Sequence, residues 1–547
     1  AVSWVLRDIA RADGGYDAIR DQALTVNAEL AADPAQPPAY SVAASIRLAG
    51  VAHEVGDEER ALDALRNAID LLPLVVWRGG DRADHERSLS DTELGSFAAT
   101  VALAAGKPYD ALELLEAGRG LLAAQALELR TDTDDLAAAH PELASRFGEI
   151  RRQLEHAAAA DDLSAPGADR RHRLAREWQE TLADIRARPG FADFLRPPRA
   201  GRLLSAGAHG PVVVVTVGQQ GTGHALLLDG TGLTVCPLPG LTHQEARERS
   251  ELLFQAVAAA GRSGLARAFA EQSVADLLDW LWATIAEPVL DSLGVTGPPP
   301  PGEEPPRLWW CPSGPLTFLP LHAAGAVPDR VVSSYTPSLA ALLRARGKAV
   351  PEGDRDPLIV AVPELDGAAP LPGALREAEL AHRAVGGALL RGAEVRADAV
   401  RDALHAHPWV HFACHGVQDP EQPSQGRLLL PDGALSALDV ARLHLPAAEF
   451  AYLSACETAV GGARLPDEAL HLAGSLQLAG FSQVIGTLWR VDDDSSAEIA
   501  SRVYGRLAAS GPGAPPAARA LGDAVRQLRE RWPERPLSWA AHVHSGA

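Results

Sequence analysis

The sequence has no methionine, only four cysteines and two lysines (Lys107 and Lys348), and 5% aromatic residues in 547 positions. So little lysine nearly removes Schiff-base chemistry and lysine general bases from consideration. Cys236, Cys311, Cys414 and Cys456 include no CxxC pair, so the spacing of a structural zinc ribbon is missing. Few cysteines in so long a chain fit a reducing, cytoplasmic compartment. The longest apolar runs, such as Val212 to Val217, fall far short of a bilayer span, and no secretory signal opens the chain. A start at Ala1 in mid-domain texture, without methionine, points to a fragment of a longer protein. The formal net charge of −21 excludes a global positive field for nucleic acid or an anionic membrane.

What is present divides the chain into three expected regions: 1–197, 198–352 and 353–547. The first reads as helical. Between Ala43 and Pro73, Ala49, Gly56, Ala61, Leu65 and Ala68 have the small-residue spacing of a two-helix tetratricopeptide repeat, with Pro73 expected to end the unit. Gly106, Ala111, Leu115 and Gly118 form a second partial match. Gly56 and Gly106 are further apart than the repeat's period of about 34 residues, so Arg78–Asp91 reads as an insertion between units. The competing reading is a generic alanine-rich bundle. Charged amphipathic helices follow from Leu143 to Arg196, broken near Pro166 and Pro189.

At Gly210 the texture changes. Runs at Pro211–Val217, His224–Leu228 and Leu233–Leu238, separated by glycine turns, predict a β-meander. Glu245–Ala286 reads as helix and the proline-rich Gly297–Pro306 as a linker. Leu308–Leu321 reads as strand, turn, strand. From Pro357 on, uniformly apolar strands alternate with helices, the pattern of a mainly parallel sheet covered by helices on both faces.

In such a sheet, reactive groups gather at the carboxyl ends of the strands. Two predicted strands end in them. One is Trp409-Val-His-Phe-Ala-Cys-His415-Gly416, and the other is Phe450-Ala-Tyr-Leu-Ser-Ala-Cys456-Glu457-Thr458. Adjacent parallel strands would set His415 beside Cys456, and an imidazole next to a thiol takes its proton or stabilises its thiolate. Gly416 after the base leaves a backbone N–H open to hold an oxyanion together with the Cys456 N–H.

The two motifs, His-Phe-Ala-Cys-His-Gly and Leu-Ser-Ala-Cys-Glu-Thr, resemble those of CHAT domains, caspase-related domains usually attached to tetratricopeptide repeats. The likeness extends through Asp467–Gly474, Gly480–Asp493 and Ser538–Gly546, and upstream Pro312–Leu321 is similar to the family's opening segment. This resemblance implies a caspase-like fold and a dyad with His415 as base and Cys456 as nucleophile. It also implies a cysteine endopeptidase that cuts a protein substrate without a cofactor or metal, regulated by a protein bound to the repeat-like region. CHAT domains are similar to separases, in which a segment like Leu488–Asp493 lines the pocket for the residue before the cut bond. Carried over, Asp492 or Asp493 would pair with a substrate arginine or lysine, with Trp489 beneath or beside them. The plainer reading has Asp492–Asp494 capping the following helix. Residues 198–352 would form a second, non-catalytic caspase-like half. The rival function is a catalytically silent scaffold or sensor acting by protein–protein contact.

The remaining candidates read blandly. His411 and His415 have the spacing of paired zinc ligands, but that pairing needs a helix and this segment reads as a strand. Cys414 alternates away from His415 and reads as a small buried hydrophobe, with Cys236 and Cys311 structural as well. His471 reads as a packed helix residue. Glu457 is placed either to orient His415 or to serve a strand-end turn.

Overall fold

The computed structural model describes residues 16–547 except 34–35, 37, 77–92, 120–135, 160–164, 193, 196–197, 220, 262–263, 349–355, 419–424, 455–471 and 510–516. The chain divides into two compact units, Ala1–Ala200 and Gly201–Ala547.

The first unit is built from helices α1 (Tyr16–Ala32), α2 (Pro38–Glu54), α3 (Glu58–Val76), α4 (Leu94–Ala104), α5 (Pro108–Ala117), α6 (Pro141–Ala159) and α7 (Ala165–Arg186). Helices α1–α2, α2–α3, α4–α5 and α6–α7 pack in sequential pairs, and α3 also packs on α4. The α2–α3 and α4–α5 hairpins turn in the same way. Gly56 (φ 77°) and Gly106 (φ 69°) adopt the left-handed conformation that ends a helix, and the next residue's N–H reaches back to the carbonyls of Ala52 and Ala102. Ala49, Ala61, Leu65, Ala68 and Ala111 are fully buried between the helices. Helix α3 does not stop at Pro73 but runs on to Val76. A proline this close to a helix end removes only one ladder bond, the one to the Ile69 carbonyl. The segment expected as an insertion, Arg78–Asp91, lies outside the described residues.

The second unit is organised by one eleven-stranded sheet, in the order β3-β2-β1-β4-β5-β14-β13-β12-β8-β6-β7. Its strands are β1 (Val212–Thr216), β2 (Gly223–Leu228), β3 (Leu233–Leu238), β4 (Arg307–Pro312), β5 (Val332–Tyr335), β6 (Pro357–Ala361), β7 (Ala388–Arg391), β8 (Trp409–Ala413), β12 (Phe450–Ser454), β13 (Gln483–Thr487) and β14 (His542–Gly546). All pairings are parallel except β1–β2, β2–β3 and β13–β14. A second sheet of β9 (Gly416–Val417), β10 (Arg427–Leu430) and β11 (Gly433–Ser436) stands apart. The division expected at 352/353 falls among undescribed residues, and strands from both sides of it pair in the same sheet through β5 and β14.

One expectation fails within Leu308–Leu321. The second strand is replaced by two 3-10 turns, Gly314–Phe318 and Leu321–Ala323. Pro315 and Pro320 carry no N–H, so the segment cannot complete a ladder.

The helices that matter for the site are α8 (His243–Ala260), α9 (Gly264–Leu281), α10 (Pro372–Val385), α11 (Ala397–Leu404), α12 (Ala437–Ala441), α13 (Leu472–Ala479), α14 (Asp493–Ala509) and α15 (Ala517–Arg531). Alternation along β8 and β12 sends their side chains to two different cores. Trp409, Phe450 and Tyr452 pack with Ala378 of α10 and Val503 of α14. Val410, Phe412, Cys414, Ala451 and Leu453 pack with Val400 of α11, Val440 of α12 and Leu476 of α13. Helices therefore cover both faces of the sheet.

Candidate active site

Strands β8 and β12 are adjacent and parallel, in a register that pairs Trp409 with Phe450, His411 with Tyr452 and Ala413 with Ser454. Their carboxyl ends therefore lie side by side. His415 follows β8 by two residues and is half-buried. Its Nε2 lies 2.7 Å from the carbonyl oxygen of Ala369, in the loop that leads into α10. A carbonyl only accepts, so Nε2 carries the proton, and the lone pair of a neutral ring is left on Nδ1. The backbone on either side of this imidazole is anchored. The His415 carbonyl accepts the Leu429 N–H at 2.9 Å, and Gly416 pairs with Leu428 in the small sheet. Cys456, Glu457 and His471 lie outside the described residues, as do Asp467–Leu470 of the expected helix that begins there.

Helix α10 closes one side of the site. Its first turn approaches α14 so tightly that a Cβ on Gly373 would lie 2.7 Å from the Asp493 Cβ. The Gly373 N–H donates to Asp493 at 3.2 Å. Further along, Glu377 is buried and accepts from the Ser454 hydroxyl at 2.8 Å. Its other oxygen lies 3.4 Å from His411 Nε2, and His411 Nδ1 is 3.0 Å from the Tyr504 hydroxyl. His411 also stacks on Tyr452, with centroids 5.0 Å apart. Burial pushes the His411 imidazole down to about 3 and is the main cause raising Glu377 to about 8.

The acidic segment before α14 is engaged within the chain. Asp492 caps the helix, accepting from the Ser495 N–H at 3.0 Å, and faces Arg267 of α9 at 3.4 Å. Burial pulls its carboxyl upward, but the Ser495 hydrogen bonds and the Arg267 charge outweigh that and hold it below the usual carboxylate range. Asp494 pairs with Arg376 at 2.7 Å. Trp489 is 2% exposed and its indole N–H donates to the Leu537 carbonyl at 2.9 Å, so it supports this segment from inside the core. Cys414 is buried in the opposite core from the α10 face, and Cys236 and Cys311 are buried and unbridged. Among the described residues, no three His, Cys, Asp or Glu side chains are grouped to hold a metal ion.

The family model of the CHAT domain matches residues 275–547. This part of the chain is a CHAT domain. Two crystal structures of the Saccharomyces cerevisiae separase–securin complex are similar to it, each with a TM-score of 0.52, at 10% and 11% identity. They cover 89% and 90% of this chain, which spans 37% of the chain matched in each. At such identity the likeness is one of fold, a helical region followed by a caspase-like sheet domain. The Arg-specific cysteine proteinase gingipain R is matched over 50% of this chain and 73% of its own, with a TM-score of 0.36 and 11% identity. A comparison with curated proteins finds no match.

Sequence reasoning did not pick out Glu377 or the Ala369 carbonyl of the CHAT domain. Glu377 left a trace, because it shares the buried face of α10 with Ala374, Ala378 and Ala381, an acid at a core position of an amphipathic helix. In sequence, His411 carries only the spacing of a metal ligand with His415. A carbonyl oxygen leaves no mark in sequence.

Proposed function

We propose that this CHAT domain is a caspase-like cysteine endopeptidase in which Cys456 attacks the scissile carbonyl and His415 moves the proton. The observation that carries this reading is the placement of His415 at the carboxyl end of β8, Nε2 engaged by Ala369, beside β12, whose sequence continues from Ser454 to Cys456 within two residues. With Nε2 occupied, Nδ1 takes the thiol proton and later delivers it to the leaving amine. The Gly416 and Cys456 N–H groups hold the developing oxyanion, and water then hydrolyses the acyl-enzyme.

A basic residue before the cut bond would meet Asp492 or Asp493, with Trp489 supporting the segment from below. For Asp492 that means displacing Arg267, itself a guanidinium, which supports arginine as the chemistry this carboxylate accepts. A regulator bound to the tetratricopeptide-like hairpins of the first unit and a cytoplasmic setting, consistent with the unbridged cysteines, complete the reading.

Digestion of a peptide library by the full chain tests it. Cuts after arginine or lysine are expected, and Cys456→Ala and His415→Ala should each abolish them while leaving the fold intact. Unchanged turnover in Cys456→Ala eliminates the mechanism. The internal pairing of Asp492, Asp493 and Asp494 favours the second reading, a silent scaffold, and failure of a thiol-directed probe to label Cys456 would support it.

A further inference from the structure

Beneath the strand ends lies a buried polar column that the proposed chemistry does not use: Tyr504, His411, Glu377 and Ser454, on the face of the sheet covered by α10 and α14. Its position is set by alternation. His411 and Ala413 of β8 and Tyr452 and Ser454 of β12 are paired in register on this face, and the chain runs on from Ala413 to His415 and from Ser454, in sequence, to Cys456. The Glu377 carboxyl group faces both strands, His411 of β8 and Ser454 of β12.

The geometry poses a chemical problem. Glu377 Oε1 and His411 Nε2 are both fully buried and have no well-formed hydrogen bond, although they face each other at 3.4 Å. An ionised Glu377 either opposes the lone pair of His411 Nε2 or, in the other tautomer, accepts from Nε2–H and remains a buried charge in contact only with neutral His411 and Ser454. A proton on Glu377 Oε1 removes the conflict. It points to His411 Nε2, His411 Nδ1–H donates to Tyr504, and the remaining Glu377 oxygen accepts from Ser454. We propose that Glu377 is held as a neutral carboxylic acid and is a positioning residue for the peptidase site, clamping β8 and β12 to α10 so that their ends meet in register.

Helix α10 then serves the site three times: the loop before it orients His415, its first turn receives Asp493, and Glu377 grips both strands. The surroundings favour the neutral form. Glu377 is faced by His411 from β8, Tyr452 and Ser454 from β12, and Tyr504 and Asp493 from α14, with Arg376 beside it on its own helix. Burial is the main cause that raises its pKa to about 8. The Asp493 charge adds to the rise, while the Ser454 hydrogen bond and Arg376 oppose it.

The proposal rests on the peptidase reading, and the test separates the two. Iodoacetamide alkylation of Cys456 in the full chain is followed by mass spectrometry from pH 5 to 9, for wild type and for His415→Ala, Glu377→Gln, Glu377→Leu and Ser454→Ala, with thermal melts to check folding. His415→Ala should slow alkylation near neutral pH; no change there overturns the dyad itself. With the dyad intact, Glu377→Gln keeps the size, the acceptor for Ser454 and a donor for His411, so it should stay within about two-fold of wild type below pH 7. Above pH 8 it should diverge from wild type, because only the acid ionises. Glu377→Leu should lose about ten-fold or more, and Ser454→Ala, which removes one bond without a buried acid, should lose several-fold. A glutamine variant as slow as the leucine variant, or a folded Ser454→Ala with wild-type rates throughout, overturns the proposal.

Discussion

Individual buried histidines of the second unit make its stability depend on acid. His322, His411, His542 and His544 are all essentially buried, and burial above all drives their pKa values down, to about 3, 3 and 4 for the first three and well below 6.5 for His544. A base whose folded pKa lies below its unfolded value stays neutral in the fold while the unfolded chain takes up a proton. Stability is therefore intact above pH 6.5 and falls as pH drops from there toward 3 to 4. Glu377 and Glu271, raised by burial, run the other way, holding a proton in the fold that the unfolded chain releases above about 4.5. With four imidazoles against Glu377, and Glu271 opposing in the same sense, we expect a net loss of about 3–4 kcal/mol per pH unit once the pH is a unit or more below 6.5, from ~1.4 kcal/mol per group. Urea midpoints at pH 6.5, 5.5 and 4.5 check this, and equal midpoints at 5.5 and 4.5 would refute it. The residue scale is also where sequence reading was most uneven. His415 and Cys456 stand out in sequence because reactive side chains after apolar strands break a pattern, and of the two only His415 lies among the described residues. The role of Glu377 does not stand out, because its partners lie in other elements, Ser454 being 77 residues away.

At the level of elements, backbone approach decides what can be changed. A Cβ on Gly118 would sit 2.5 Å from the Gly95 Cα, where α4 meets the end of α5, and backbone cannot move aside as a side chain can. Gly118→Ala should cost the first unit about 1–3 kcal/mol. Gly50, inside α2, has nothing within 4 Å of its would-be Cβ. Gly50→Ala should instead stabilise by about 0.5–1 kcal/mol through helix propensity. Thermal melts of the two variants should therefore move in opposite directions, and a common direction would contradict the packing described. Strands β1 to β3, β6, β8, β12 and β13 were legible because buried strands read as near-continuous apolar runs. The small sheet escaped notice because β9 has only two residues. Strand β14 did too, because His542-Val-His-Ser-Gly carries polar residues whose burial depends on neighbours distant in sequence, such as Ser334 for His544.

For the whole molecule, the continuous sheet sets what can be separated. Among the described strands, β1 to β5 and the group β6, β7, β8, β12 and β13 join through β14, so residues 353–547 alone would expose the free edge of β14 and the core beneath α15. A fragment of residues 201–547 should unfold cooperatively, whereas 353–547 should aggregate or lack a sharp transition by circular dichroism. A cooperative melt of the shorter fragment would show that the two parts of the sheet fold independently.

The strand that joins them follows the other described strands of the sheet in the sequence. Until residues 542–546 insert between them, β5 and β13 would present bare hydrogen-bonding edges, each able to recruit a strand from a neighbouring molecule. Completion of this sheet is thus a long-range event, in which residues 542–546 bridge β5 and β13.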